Sequence, residues 1–502
     1  MKTQIEQNGI VVLTEEAAQA VSGSHLWNDD LRPTTLKEHS WKGINFATLW
    51  IGMCLCIPSY TMASGMIALG MNWWQAVGTI FLGNVIVLIP ILLNSHAGTK
   101  FGIPYPVFAR LWFGDKGAHI PALARAIVAA GWFGINTWIG TEAIDTLLRA
   151  TFPSWGNLPG HTAIIFALFW ALNISIAYKG PEAIKKLSAI AAPVVGVSSI
   201  ILLIWALTHA GGWGPILETP SKFETTGDFL KVFFPSLTGV IGFWATLALN
   251  IPDFCRYAQS QKSQMIAQSI SLPVTMTVFS FIGIAVTSAT ILIFGQALWD
   301  PVQLLAKFPP FVILLGTIII VISSITINIG ANVVAPARAI ENLYPKRITF
   351  GMGAIITGLF AILLQPWYIM SNFGNYIFGW LGTYAALLGP IDGIAIADYW
   401  LVRRRQLHLK ELYEPNGRYS YANGFNKNGV YALIIGVAIP VLGLFIPSLR
   451  FLWDNAWTFG LFIAIILYTY LMRGDQSILK EGEYQQITVF QSEHNTHTEM
   501  AR

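Results

Sequence analysis

Long apolar runs separated by short polar stretches recur along the chain from about residue 43 to residue 472. A helix needs about 20 apolar residues to cross a hydrocarbon core of roughly 30 Å. Twelve runs approach that length, near residues 43–70, 73–95, 121–148, 161–178, 187–209, 233–254, 272–296, 311–334, 348–365, 374–401, 430–447 and 452–472. Alternating strands of about ten residues, the mark of a membrane β-barrel, are absent. Backbone in lipid must satisfy its own hydrogen bonds, which selects helix. The pattern predicts an all-α integral membrane protein with twelve transmembrane helices. It divides into a polar tail over 1–40, a ten-helix core over 41–401, an inner loop with the last two helices over 402–472, and a polar tail over 473–502.

Composition agrees with the pattern. Of 502 residues 54% are hydrophobic and 11% charged, against roughly 25% charged in soluble domains. Too few charges remain to coat a water-facing surface, which excludes a soluble enzyme, a disordered chain and a nucleic-acid binder. The net charge of +4 matters less than its placement. With both termini in the cytoplasm, the inner loops hold eighteen basic residues; the outer loops hold five, Arg149, Lys222, Lys231, Lys307 and Arg450. That asymmetry predicts a multi-pass protein of the cell's inner (plasma) membrane with both tails inside. No basic stretch followed by an apolar core opens the chain, so no cleaved signal peptide is expected. Loop 402–429 mixes charge with turn residues and is expected to be ordered at the membrane surface. The tail after Arg473 is expected to be mobile. The three cysteines lie in or beside apolar segments, which argues against a disulfide framework, and Cys54 and Cys56 lack partners at metal-binding spacing.

Interruptions of the apolar runs point to chemistry. The first run carries Pro58 between Gly52 and Gly65; the sixth carries Pro235, Gly239, Gly242 and Pro252. These predict discontinuous helices one and six. The two runs open successive sets of five, and an odd number inverts the second set, as in a five-plus-five inverted-repeat transporter. In the third run Trp132 and Asn136 are four apart and share a helix face. An indole offers a flat stacking surface and a carboxamide offers donors and an acceptor, which suits a planar heterocycle; packing against lipid or a neighbouring helix is the competing explanation. The eighth run buries Ser323, Ser324, Thr326, Asn328 and Asn332, and amides at such depth need a cavity, an ion or another helix. Glu142 stands six residues beyond Asn136, about 600° around the helix, and is only a minor candidate for carrying a proton. Asp253 with Arg256, and Asp398 with nearby arginines, read as ion pairs. Asp392 also lies within the tenth run. None of the nine histidines falls near a midplane, and no catalytic motif supports a membrane-embedded enzyme.

The stretches LWNDDLRPTTLKEHSW, LNSHAGTKFGIPYPVFARLWFGDKGAHIPALARA, GWFGINTWIG, NIPDFCRYA, IGANVVAPA and GPIDGIAIADYWLVRRRQLHLKELYEPNGRYSYANGFN follow one another in order. Over residues 27–472 the chain thereby resembles the nucleobase:cation symporter-1 family. The resemblance implies the LeuT-type inverted repeat and an ion-coupled importer working by alternating access. Its substrate would be a nucleobase-like compound such as uracil, cytosine, a purine, allantoin, a hydantoin or a vitamin. It implies that Trp132 stacks on the substrate, Trp244 supplies a second aromatic wall, Asn136 and Asn332 read its polar edge, and Cys56 lines the site. Some relatives have Gln where this chain has Asn136. The Ser-Thr pair that binds sodium in relatives falls on Thr326 and Ile327, and isoleucine has no side-chain oxygen. Thr326 Oγ1 and the carbonyls of Gly52, Leu55 and Ser323 remain as cation ligands, and Na+ or H+ is open as the coupling ion. The expected partners are a small planar heterocycle, a cation and the bilayer, with no cofactor, no nucleic acid and a monomeric chain. A same-fold importer of a vitamin or amino acid, or a ligand sensor that does not transport, is the alternative.

Overall fold

Each apolar run folds as a helix. Span one is Gly43–Cys54 and Ile57–Ala68, bent by 56° at the break between them. Span two is Trp73–Phe101, span three His119–Thr151, span four His161–Tyr178, span five Lys185–His209, span six Thr226–Asn250 and span seven Gln261–Phe294. Span eight runs through Pro310–Val333 into Val334–Leu343. Span nine is the shorter Phe350–Leu363, span ten Asn375–Val402 and span eleven Lys427–Phe445. Span twelve is Pro447–Asp454 and Ala456–Leu471, bent by 82°. The computed structural model describes residues 2–29, 31–178, 185–343 and 347–491. Of the eighteen basic residues counted in the inner loops, Lys179 and Lys346 lie outside the described residues, and the side chains of Lys185, Lys186 and Arg338 are not described.

The break in span one follows from local chemistry. Leu55 leaves the helix at φ −79°, ψ 69°, Cys56 is extended at φ −139°, ψ 155°, and Pro58 lies in the first turn of the second piece. There its missing N–H costs no intrahelical bond and its fixed φ favours helix. Span six departs from expectation. It is one helix through Pro235, Gly239 and Gly242, and turns only at Ile251 before Pro252–Cys255. A proline in mid-helix removes one bond, and packing on both sides holds the rest. The glycines serve close approach instead: a Cβ at Gly239 would stand 2.6 Å from the Ile377 side chain, and one at Gly242 2.8 Å from the Leu381 carbonyl oxygen.

Side chains are sorted by lipid. Ile89, Leu168, Ile201, Val278 and Ile466 point outward, while buried polar groups are turned inward. A small core joins spans three, four, eight and nine through Phe133, Phe169, Ile174, Ile329 and Ala354. A larger core joins spans one, two, six, seven and ten to twelve.

Both tails lie on one face of the molecule, called here the tail side. Strand β1 (Gln4–Gln7) pairs antiparallel with β2 (Ile10–Leu13) and parallel with β3 (Thr488–Gln491). The C-terminal tail as far as Gln491 is therefore built into the fold, which corrects its reading as a mobile segment. Low apolar content misled that reading, because this segment is held by polar contacts. Arg403 donates to the Asp398 carboxylate at 2.8 Å, to the Ser477 carbonyl at 2.7 Å and to the Leu111 carbonyl at 3.0 Å. The five donors of a guanidinium allow one residue to bind all three segments. Loop 402–429 is ordered as expected, with Leu407, Leu412, Tyr413 and Tyr419 buried. Gln4 ties it to the tails, donating to the Leu407 carbonyl and accepting from the Leu409 N–H at 3.0 Å.

Candidate substrate site at the seam of two cores

Trp132 and Asn136 come from the small-core helix that also touches the large core. The side chains of Trp132, Asn136, Trp244, Asn332 and Cys56 are all buried. Asn136 Nδ2 donates back to the Trp132 carbonyl at 3.0 Å, which leaves its Oδ1 buried with no partner. An open buried acceptor costs on the order of 1–3 kcal/mol, so this oxygen is suited to receive an N–H.

The aromatic walls meet through a residue that the sequence did not single out. Phe243 lies edge-on to Trp132, with centroids 5.1 Å apart, and edge-on to Trp244 at 4.9 Å. The two indoles thus flank Phe243 rather than lying in direct contact. Trp244 Nε1 is buried without a partner. Its ring also meets Trp50 edge-on at 5.3 Å, and Trp50 donates to Gln268 at 3.2 Å.

Asn332 is positioned by a chain of amides. Its Nδ2 donates to Asn328 Oδ1 at 3.2 Å, while Asn328 Nδ2 donates to Thr137 Oγ1 at 3.0 Å and to Asn173 Oδ1 at 3.2 Å. Both asparagines lie in a π-helical turn, Asn328–Val333. Such turns are rare and concentrate at functional positions. Spans three, four and eight are thereby locked behind the site.

Cys56 occupies the extended break of span one, with Sγ 3.1 Å from Ser59 Oγ. The first half of span ten, with Phe373 just before it, covers the far side. A Cβ at Gly65 would stand 2.0 Å from the Phe373 ring, and one at Gly131 2.1 Å from the Trp380 ring. Tyr376 lies 6.2 Å from Trp132 and donates to the Pro58 carbonyl at 3.2 Å. Tyr376, Trp380 and Tyr384 recur every four residues, a helix-face signal that the sequence reading passed over.

The candidate cation ligands are less fully gathered. Ser323 is buried, and Thr326 Oγ1 is buried without a partner. Other threonines in these helices bond the carbonyl one turn back, as Thr137 does to Phe133 at 2.7 Å and Thr141 to Thr137 at 2.8 Å. Leu55 and Gly52 border the break in span one. Among the described residues no group of His, Cys, Asp and Glu could hold a metal ion. Glu142 stands partly buried on the far side, near Asp300 and Asp145, about one and two-thirds turns beyond Asn136. Asp398 pairs with Arg403 as expected. Asp253 accepts from the Tyr105 N–H at 2.7 Å.

A family model described as a permease for cytosine/purines, uracil, thiamine, allantoin matches residues 33–461. Among curated proteins the chain is 42% identical over 469 residues to a purine-uracil permease of Arabidopsis thaliana, covering 89% of this chain and 78% of that one. It is 39% identical over 460 residues to an allantoin permease of Bacillus subtilis, covering 90% and 94%. Two structures of Mhp1, one inward facing and one closed with bromovinylhydantoin bound, superpose with TM-scores of 0.77 and 0.74. Their identities are 22% and 24%; each covers 92% of this chain, and the match covers 97% and 99% of theirs. That likeness establishes the twelve-helix inverted-repeat fold. The relatives are transporters. The chain belongs to the nucleobase:cation symporter-1 family.

Proposed function

We propose that this chain is a secondary active importer of a planar, amide-rich heterocycle, with allantoin and uracil the first compounds to test. The two relatives named for those compounds support that choice. The observation that carries the reading is the buried, unpartnered Asn136 Oδ1 beside the Trp132 indole. A ring bearing an N–H next to a carbonyl pairs with that oxygen while stacking on the indole. Trp244 and Phe243 close the apolar side, Asn332 reads a second polar edge, and Cys56 borders the break in span one. The tail side is the cytoplasm, the bilayer is the plasma membrane, and the monomer is the working unit. A cation, Na+ or H+, drives accumulation. For sodium, Thr326 Oγ1 and the carbonyls of Gly52, Leu55 and Ser323 are the oxygens available.

The test is a thermal-shift screen of the purified protein against uracil, cytosine, purines, allantoin and hydantoins, with and without sodium, followed by uptake into vesicles. The expected result is a shift with one or two of these compounds and saturable accumulation of the same ones. Binding without accumulation would identify a sensor. No shift with any of them, together with a shift by an amino acid or vitamin, would replace the substrate class.

A further inference from the structure

Span ten buries two aspartates in different surroundings. Asp398 has Arg403 at 2.8 Å and the Tyr468 hydroxyl at 2.7 Å. Asp392, six residues earlier and fully buried, meets only neutral groups. Its Oδ1 accepts from Asn94 Nδ2 at 3.3 Å, and its Oδ2 has no hydrogen-bond partner. The Trp457 indole N–H faces it and stabilises its charged form weakly, from outside hydrogen-bonding geometry. Asn94 gives another hydrogen to the Ala248 carbonyl at 2.8 Å. Ala248 is one turn along span six from Trp244, so a single amide links this carboxyl to the helix that forms a wall of the substrate site.

The surrounding charges are committed elsewhere. On span two, His96 bonds the Tyr399 hydroxyl at 2.8 Å and Lys100 donates to the Arg405 carbonyl. On the inner side, Asp253 follows span six and accepts from the Tyr105 N–H, and Arg125 of span three bears on Asp253 and Tyr105. On span twelve, Tyr468 is bonded to Asp398. On span eleven, Tyr431 is exposed to lipid. In the short loop helix Tyr105–Phe108, between spans two and three, burial pushes the Tyr105 phenol up and the charge of Asp392 adds to the effect. Tyr105 Oη, too, has no partner. A carboxylate in a low-dielectric interior needs a counter-charge or a proton, and ionisable groups within a membrane mark ion pathways.

We propose that Asp392 is a proton-binding site through which substrate import is coupled to the proton gradient. An O–H bond forms at the carboxylate when the proton binds and breaks when it leaves toward the tail side past Tyr105; no other bond changes. The neutral acid and the charged acid differ in their pull on Asn94, and so on span six. This inference rests on the transport reading above.

The experiment uses purified full-length protein in vesicles, with radiolabelled allantoin and uracil as probes. Two modes are compared: accumulation driven by an imposed pH gradient, and exchange of probe for probe without any gradient. Wild type is expected to do both. Asp392→Asn is expected to keep exchange and lose gradient-driven accumulation. Asp392→Glu keeps a carboxyl and is expected to retain both, with the pH of half-maximal transport moved upward, since glutamate is the weaker acid. Accumulation by Asp392→Asn equal to wild type overturns the proposal. So does wild-type accumulation driven by sodium and indifferent to the pH gradient, or an unmoved midpoint in Asp392→Glu, a variant that serves even where Asp392→Asn does not fold. Failure of the wild type to exchange either probe defeats the transport reading itself, and this proposal with it.

Discussion

Asn328 of span eight donates to the Thr137 hydroxyl of span three at 3.0 Å and thereby joins the two helices that carry the site's amides. The same side chain accepts from Asn332. The orientation of Asn332, and with it the recognition proposed for its amide, therefore depends on a residue one turn away.

Replacing Asn328 by Ala is expected to remove the partner of Asn332 Nδ2 and of Asn173 Oδ1, while Asn173 Nδ2 keeps the Phe169 carbonyl. Leaving buried polar groups open costs about 1–3 kcal/mol, and each 1.4 kcal/mol that reaches the bound state is about tenfold in affinity. Uptake kinetics should show an apparent affinity weaker by about tenfold, with a lower unfolding temperature. An unchanged affinity would separate Asn328 from the site.

Trp132→Ala should abolish saturable uptake while leaving the amount of protein in the membrane unchanged. Normal uptake by this variant would reject stacking on this indole, since the other rings of span three are engaged elsewhere, Phe133 in the small core and Trp138 against Phe166 and Trp367.

The close approach of span ten predicts a gating phenotype. Gly65→Ala forces the Phe373 ring away, because the added carbon would stand 2.0 Å from it. The break at Cys56 should then open to the far side. Labelling of Cys56 by a membrane-impermeant thiol reagent added outside cells reads this directly: the variant should react and the wild type should not. Equal protection in both would show that Phe373 finds another position.

Arg403→Ala should be among the most destabilising single changes on the tail side. It leaves Asp398 buried without its counter-charge, at a cost of roughly 3–5 kcal/mol, and frees the Ser477 segment. Membrane abundance should fall and limited proteolysis should cut near residue 477. Asp398→Asn added to this variant should recover part of the loss, and no recovery would mean that the other Arg403 contacts dominate.

The pre-membrane segment carries a pH dependence of known sign. Arg32 beside Glu38, with help from the Thr35 N–H and hydroxyl, lowers the Glu38 carboxyl from 4.5 to about 2. Its stabilising contribution is therefore complete above about pH 4.5 and is lost as pH falls toward 2. Thermal unfolding of wild type and Glu38→Gln should differ by a constant amount at neutral pH and converge in acid. Because both side chains are about one-third exposed, the difference should be small. A difference that grew in acid would reverse the assignment.

Much of this was legible in the chain. Hydrophobic run length is a property of sequence alone, because the bilayer sets one thickness for every span, and so the count of twelve and their approximate limits followed. The Trp132–Asn136 face needed only helical periodicity, and the Pro58 break only the chemistry of proline. Other features needed neighbours. Gly239 and Gly242 read as breaks until Ile377 and Leu381 were found against them. Phe243 gave no signal apart from standing next to Trp244. The C-terminal tail looked solvated because the partners that order it, Gln4, Arg403 and loop 402–429, lie up to hundreds of residues away.

Sequence by itself determined the solvent of this protein, its helices and the residue types that a planar amide-rich ring requires, since these depend on transfer energy and on contacts within one helical turn. Tertiary structure alone decided which polar atoms remain open: Asn136 Oδ1 and Trp244 Nε1 at the site, and Asp392 Oδ2 below it. Whether a buried donor or acceptor is satisfied depends on atoms brought within about 3 Å by distant segments, and no local pattern encodes that.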